Sequence, residues 1–440
     1  MMMNRRHFTF AACGALAALG MPRTARADRV HTPQSVLCNW YKLVLKLVRH
    51  TPTYSPPVAS RSFAYLGITA FEAAAGGSEE LRSLSGQLNG LTDVPRRETV
   101  QTHDEALVIH AALALAVRNF FGNTSPTGQR VMKKFEEKLY AELSRGLDAQ
   151  VIARSVAQGR AVAAHVLEWS KNDGGAVVEN MGFPYEYELT KGEGKWVPTS
   201  LVVQQQKPLL PLWGQNRTFA MASGAACPLP EPPVYSEDKS SEFYRQALEV
   251  YDTTRALTDE QKTIARFWSD DPMLSPTPPG HWISIAIHIL ERDKAGLALT
   301  ADTLARLGIA VSDAFVACWH AKFEFDLVRP VTYIRKHIDP KWEPMLITPP
   351  FPEYPSGHST QSGAAADVLT SLFGGTLAFG DSTHARDGMA ERTFPNFWAA
   401  AEEAGISRLY GGIHFRAAID RGLDQGRCVA SHVNALRTRT

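Results

Sequence analysis

Residues 354–373 read YPSGHSTQSGAAADVLTSLF, a Pro-Ser-Gly-His turn that runs into a helix of small residues. Ser356 and Gly357 fall where the first free N–H groups of that helix point outward. Such an end seats an anion, and glycine lets the anion come close to the backbone. His358 stands beside the seat. Read alone, the stretch is equally a serine N-cap with an incidental histidine. Its neighbours change the balance.

On one side lies Lys322 to Pro330, KFEFDLVRP, at the end of a helix-like run. Pro330 disfavours helical backbone at Arg329, so the chain turns there and can swing the guanidinium back toward Lys322. On the other side lies Ser407 to His414, SRLYGGIH. Here Gly411-Gly412 break a helix expected to end near Ala404, and His414 is expected to open the last one. Each piece alone has a bland reading, a solvated helix end or a structural histidine. Together they supply one lysine, two arginines, a helix N-terminus and two histidines. That set suits a tetrahedral or trigonal-bipyramidal oxyanion: fixed cations for its charge, N–H groups for its oxygens, imidazoles for attack, ligation and proton transfer.

The chain has 440 residues, 44% of them apolar and 21% charged, an ordinary globular mixture. Arg5-Arg6, an apolar run from Phe10 to Met21 and Ala25-Arg26-Ala27 read as a twin-arginine-type export signal over residues 1–27. The apolar run is well short of the ~20 residues of a spanning helix, so no transmembrane anchor is expected after its removal. Without the signal, 42 basic residues face 45 acidic ones, a formal charge of −3, and no basic surface for nucleic acid is indicated. Cys38, Cys227, Cys318 and Cys428 remain; they allow two disulfides in an oxidising compartment or buried free thiols, Cys318 and Cys428 both lying in apolar helix-like stretches.

Apolar positions three and four apart predict helices over 57–75, 103–121, 127–145, 149–170, 258–268, 281–292, 301–325, 357–373, 395–405 and 415–436. Between them, residues 180–235 are crowded with proline and glycine and read as a long irregular connection. The expected fold is therefore all-α: an N-terminal helical region, 28–179, and a C-terminal one, 236–440, with the core motifs at 350–425. Two bundles and one long bundle with an inserted loop fit this layout equally.

The ordered set K-x6-R-P, P-S-G-H and S-R-x5-H resembles the signature of the vanadium-dependent haloperoxidase and phosphatidic-acid-phosphatase-like superfamily. The flanks SPPVASR (55–61), GKWVPT (194–199), FWSDDP (267–272) and PPGHW (278–282) are similar to its bacterial exported branch. The resemblance implies a helical bundle of the haloperoxidase and acid phosphatase type. It implies vanadate as cofactor, with phosphate able to occupy the same site. Lys322, Arg329 and Arg408 would hold the oxyanion with the Ser356 hydroxyl and the Gly357 N–H. His414 would ligate vanadium, or become phosphohistidine in a phosphatase, and His358 would be the acid–base partner. Asp271 would pair with Arg408, and Trp319 and Phe351 would wall a halide pocket.

The implied activity is peroxidase: hydrogen peroxide oxidises a halide or an organic donor, with Lys322 polarising the peroxide. A phosphomonoesterase is the runner-up, because vanadate bound to an imidazole copies the geometry of in-line phosphoryl transfer. A non-catalytic oxyanion binder is the third reading, and it rests on one departure. Members of the superfamily commonly read H-x3-D after the last histidine, whereas position 418 is Ala here and Asp420 is the next acid. Lacking an acceptor for its second nitrogen, His414 would bind vanadium more weakly, by the ~10–100-fold typical of lost supporting groups.

Overall fold

The computed structural model describes residues 31–98, 100–178, 183, 186–200 and 203–440, so the export signal read at 1–27 lies outside the described residues. The helical periodicity becomes α1 (Pro33–Arg49), α2 (Pro56–Ala75), α3 (Glu105–Phe120), α4 (Pro126–Ser144) and α5 (Ala149–Ser170) in the first half. The second half holds α6 (Glu242–Arg255), α7 (Asp259–Phe267), α8 (Thr277–Arg292), α9 (Leu297–Phe325), α10 (Pro330–His337), α11 (Gly357–Phe373), α12 (Phe397–Tyr410) and α13 (Arg416–Asn434). A two-stranded antiparallel ribbon, β1 (Phe379–Asp381) with β2 (Arg392–Phe394), pairs Phe379 with Phe394. The fold is helical as the periodicity predicts. Three helices went unread, α1, α6 and α10. In α10 the proline that stops the preceding segment also starts the helix, occupying its first position after the extended Arg329 cap.

The two helical blocks share one apolar core. It runs from Val36 and Trp40 of α1 through Phe63 and Phe71 of α2 to Leu304 and Val311 of α9 and Val429 of α13. The long α9 packs along α2 on one side and α11 on the other, and so places Lys322, in its last turn, at the centre of the molecule. A smaller cluster, with Phe243, Tyr333, Tyr354 and Phe415, closes the far side of the motifs.

Within the proline-rich connection, residues 203–235 form a strap tied to the helices. The Asp313 carboxylate of α9 accepts three backbone N–H groups, from Phe219 at 2.7 Å, Ala220 at 2.8 Å and Met221 at 3.2 Å. Trp319 donates to the Leu209 carbonyl at 3.1 Å, and Tyr354 to that of Pro230 at 2.8 Å. Cys227 of the strap is bonded to Cys428 of α13, while Cys38 and Cys318 are buried free thiols, so one disulfide forms rather than two, and the free-thiol reading holds for Cys318 but not for Cys428. The disulfide closes a separation of 201 residues. Cys227→Ser is expected to lose about 2–5 kcal/mol of unfolding free energy, and reductant should produce the same loss only in the parent protein. Urea unfolding with and without reductant measures both.

Candidate active site

The N-terminus of α11 and the start of α13 meet at backbone distance. A Cβ added at Gly422 would lie 2.6 Å from the Ser359 Cβ and 2.9 Å from the Ser356 carbonyl, so only glycine allows this approach. The Ser356 N–H donates to the Ala418 carbonyl at 2.9 Å. This helix–helix contact fixes Ser356 and Gly357 against α13. Gly412, in the left-handed region at φ +76°, turns the chain from α12 so that His414 comes back under α11.

Lys322, Arg329 and Arg408 are buried, as are Ser356, Gly357 and His414. Burial pulls the Lys322 ammonium down to about 7 and both guanidinia down to about 10. Three buried cations in one region are costly without an anion to share them. Lys322 Nζ donates to the carbonyls of Pro352 at 2.9 Å, Glu353 at 3.0 Å and Pro355. Arg329 donates to the Phe351 carbonyl at 2.9 Å and the Ile413 carbonyl at 2.9 Å, while its Nη2 is buried without a protein partner. Arg408 donates to the Trp268 carbonyl at 2.6 Å and to the Ser407 hydroxyl at 3.0 Å. It lies within the last turn of α12, which runs on to Tyr410 rather than ending near Ala404.

Arg329 Nη1 lies 3.1 Å from His414 Nε2. A guanidinium only donates, so Nε2 must present its lone pair and the ring proton must sit on Nδ1. The partner at Nδ1 is Glu353, whose Oε1 is 2.8 Å away and also accepts the Phe415 N–H at 2.9 Å. Burial and the Arg329 charge hold His414 well below the usual histidine range. The imidazole is thus neutral with its lone pair on Nε2, the state that ligation or nucleophilic attack requires. Glu353 was missed in the sequence, although it stands three residues before Ser356 in the stretch that carries the motif. It fills the place that Ala418 leaves vacant and removes the feature that favoured a non-catalytic binder. His414 itself sits just ahead of α13, whose cap is Phe415.

Ser356 caps α11, accepting from the Ser359 N–H at 3.3 Å, and Gly357 is the first helical residue. A methyl group at Gly357 would meet Phe315, Trp319 and Cys318 no closer than 3.7 Å, so protein packing alone does not demand glycine there. His358 follows, its Nε2 buried and without a protein partner. Burial, then Arg408, holds its imidazole well below the usual range. Phe351 lies between two cations, its ring centre 5.1 Å from Lys322 Nζ and 5.0 Å from the Arg329 guanidinium, and 4.9 Å from the Trp319 ring.

The expected ion pair of Asp271 with Arg408 is not formed. Asp271 is exposed on the surface, whereas its neighbour Asp270 is 2% exposed and exerts the stronger pull of the two on Arg408. Asp270 has a left-handed backbone, φ +49°.

The donor set fits an oxyanion such as vanadate. The unpaired buried Nη2 of Arg329, the unpartnered Nε2 of His358 and the Nε2 lone pair of His414 converge with more cationic than anionic charge. Residues 302–440 match the family described as the VCPO second helical-bundle domain. Over 136 residues the chain is 31% identical to the vanadium chloroperoxidase of Curvularia inaequalis, a stretch that is 25% of this chain and 22% of that protein. A bacterial vanadium-dependent chloroperoxidase in its holo form shares the fold, with a TM-score of 0.65 and 18% identity over 92% of each chain. The crystal structure of a bacterial vanadium-dependent iodoperoxidase superposes with a TM-score of 0.84 and 36% identity, over 92% of this chain and 97% of that one. Identity of that order across nearly the whole of both chains places the protein in the vanadium haloperoxidase family.

Proposed function

We propose that the protein is an exported vanadium-dependent haloperoxidase that oxidises halide, iodide first, with hydrogen peroxide. The observation that carries the reading is the Nε2 lone pair of a neutral His414 held among three buried cations. Iodide comes from the bacterial iodoperoxidase. Export is supported by the Cys227–Cys428 disulfide and by the signal-like residues 1–27.

Vanadate, when bound, supplies a Lewis-acidic centre that makes hydrogen peroxide a two-electron oxidant, so that peroxide, halide and a proton give hypohalous acid and water. The chain would hold it through His414 Nε2, with Lys322, Arg329, Arg408, the Ser356 hydroxyl and the Gly357 N–H around its oxygens. His358, neutral near pH 7, can take a proton at Nε2 from incoming peroxide and return it as water leaves. Lys322 offers a positive charge that depends on pH. Phe351 and Trp319 form an apolar wall beside the cations, which favours a weakly hydrated anion such as iodide.

The test is a paired assay on the metal-free protein with and without orthovanadate, following peroxide-dependent oxidation of iodide and bromide and release of nitrophenol from nitrophenyl phosphate. Vanadate-dependent iodide oxidation, with any phosphatase activity suppressed by vanadate, is the expected result. Phosphate release without vanadate-dependent oxidation would make the protein a phosphatase acting through His414.

Anion binding should also draw in protons. Because Lys322 is pulled down to about 7, it is mostly neutral near pH 8 in the free protein, and a bound dianion raises its affinity for a proton. Titration with tungstate, which does not itself titrate in this range, should show uptake approaching about one proton per anion near pH 8, vanishing below about pH 6. Calorimetry in buffers of different ionisation enthalpy reads the uptake. Lys322→Met should lose the larger part of it.

A further inference from the structure

Behind the cage, on the side of Arg408, lies a second cluster of buried titratable groups. Asp270, His281, Asp381 and His384 are each at most 6% exposed and come from separate segments: the α7–α8 connection, α8, β1 and the turn after β1. His281 Nδ1 is 3.1 and 2.9 Å from the two Asp270 oxygens, and His384 Nε2 is 3.2 Å from Asp270 Oδ1. The two rings stand at 87° to each other with centres 5.0 Å apart, both facing Asp270. The outward nitrogens face carboxylates of their own, His281 Nε2 toward Asp381 at 2.7 Å and His384 Nδ1 toward Asp387 at 3.4 Å.

We propose that Asp270, His281 and His384 bind one divalent transition-metal ion, zinc by first choice. Two imidazoles and a carboxylate are a borderline-soft donor set suited to zinc, with water or the second Asp270 oxygen completing four ligands. All three donors lie within 4.8 Å of one another. Separations of 3.1 and 3.2 Å about Asp270 Oδ1 approach the roughly 3.3 Å edge of a tetrahedron with zinc–ligand bonds of about 2.0–2.1 Å. The His281 Nδ1 separation from Asp270 Oδ2, 2.9 Å, falls within the ~2.7–2.9 Å of charge-assisted N–H···O bonds, as does the outer His281–Asp381 contact at 2.7 Å. A carboxylate behind each histidine holds the proton on the outward nitrogen and turns the inward lone pair to the shared point, the arrangement that metal-ligating histidines adopt. Charge agrees in sign: Asp270, Asp381 and Asp387 face Arg49, which pairs with Asp387 at 2.7 Å, and Arg408, which Asp270 attracts, so the cluster is left net negative. A divalent ion balances it, as would protons on the imidazoles. Asp387 is 29% exposed at the surface end, which gives the ion a way in. The ion would fix the left-handed Asp270 and thereby the Trp268 carbonyl that receives Arg408.

The experiment is metal analysis of the whole protein after loading with zinc and gel filtration in chelator-free buffer, counting zinc and vanadium separately. It is paired with thermal unfolding before and after treatment with a strong chelator. Roughly one zinc per chain, a melting point lowered by the chelator and restored by zinc, and loss of the zinc in His384→Gln are expected. Less than about a tenth of an equivalent in the parent protein, with a melting point indifferent to chelator, would overturn the site in favour of the doubly protonated cluster. So would full retention of zinc by both His384→Gln and His281→Gln, because the ion would then lie elsewhere. The zinc count does not depend on halide oxidation.

Discussion

His358→Ala is expected to slow turnover by about 100- to 10,000-fold while vanadate affinity stays within a few-fold of the parent value. The imidazole contributes no cationic charge to the cage, because burial and Arg408 keep it neutral, and its buried Nε2 has no protein partner. Its removal therefore takes away a proton acceptor and leaves Lys322, Arg329, Arg408 and His414 in place. Vanadate titration of the metal-free variant gives the affinity, and peroxide-saturated iodide oxidation gives the rate. A parallel collapse of both would show that His358 holds the oxyanion instead of moving protons. His358→Gln should not restore the rate, since an amide does not take up a proton in this range.

Glu353 variants should separate vanadate from phosphate. Glu353→Ala removes the acceptor of the His414 Nδ1 proton and of the Phe415 N–H, and vanadate should bind about 10- to 100-fold more weakly. Glu353→Gln keeps an oxygen for both N–H groups and removes the charge that makes the imidazole a better ligand, so a loss nearer 10-fold is expected. Phosphate forms no bond to His414 in simple binding and answers mainly to the cage charge, so losing a nearby carboxylate should leave its affinity equal or higher. Calorimetric titration with each anion is the measurement. Equal weakening of both would mean that Glu353 shapes the cage as a whole and does not tune one ligand. The pH behaviour has a definite sign. Burial raises Glu353 to about 7 from its ordinary range, so its contribution to folding stability is fully present below about pH 4.5 and is lost as pH rises through 7.

The cage was legible because its parts are local. A proline after Arg329, a serine-glycine pair at a helix start and a glycine turn before His414 each announce a backbone geometry within a few residues, and the structure places all of them in one region. Glu353 and Asp270 were not legible because their roles depend on contacts with distant segments. Glu353 reads as one more polar residue in a proline-rich stretch until His414, 61 residues on, is seen to bond to it. Between Asp270 and Asp271 the sequence offers no choice, and only the fold shows that Asp270 is the buried carboxylate. The strap over residues 203–235 looked irregular because its order comes from Asp313, Trp319 and a disulfide, none of which leaves a periodic trace.

The three carbonyls around the Lys322 ammonium carry a consequence for how this enzyme can vary. Pro352, Glu353 and Pro355 belong to the short segment that also bears Phe351, Ser356 and His358, so one side chain clamps the register of aromatic wall, carboxylate, helix cap and proton acceptor together. Kinetic effects of substitutions along 351–358 should therefore fail to add to those at Lys322, and lineages that change this lysine must rebuild the whole segment at once. Position 319 lies outside that segment, so a change there leaves the clamp intact.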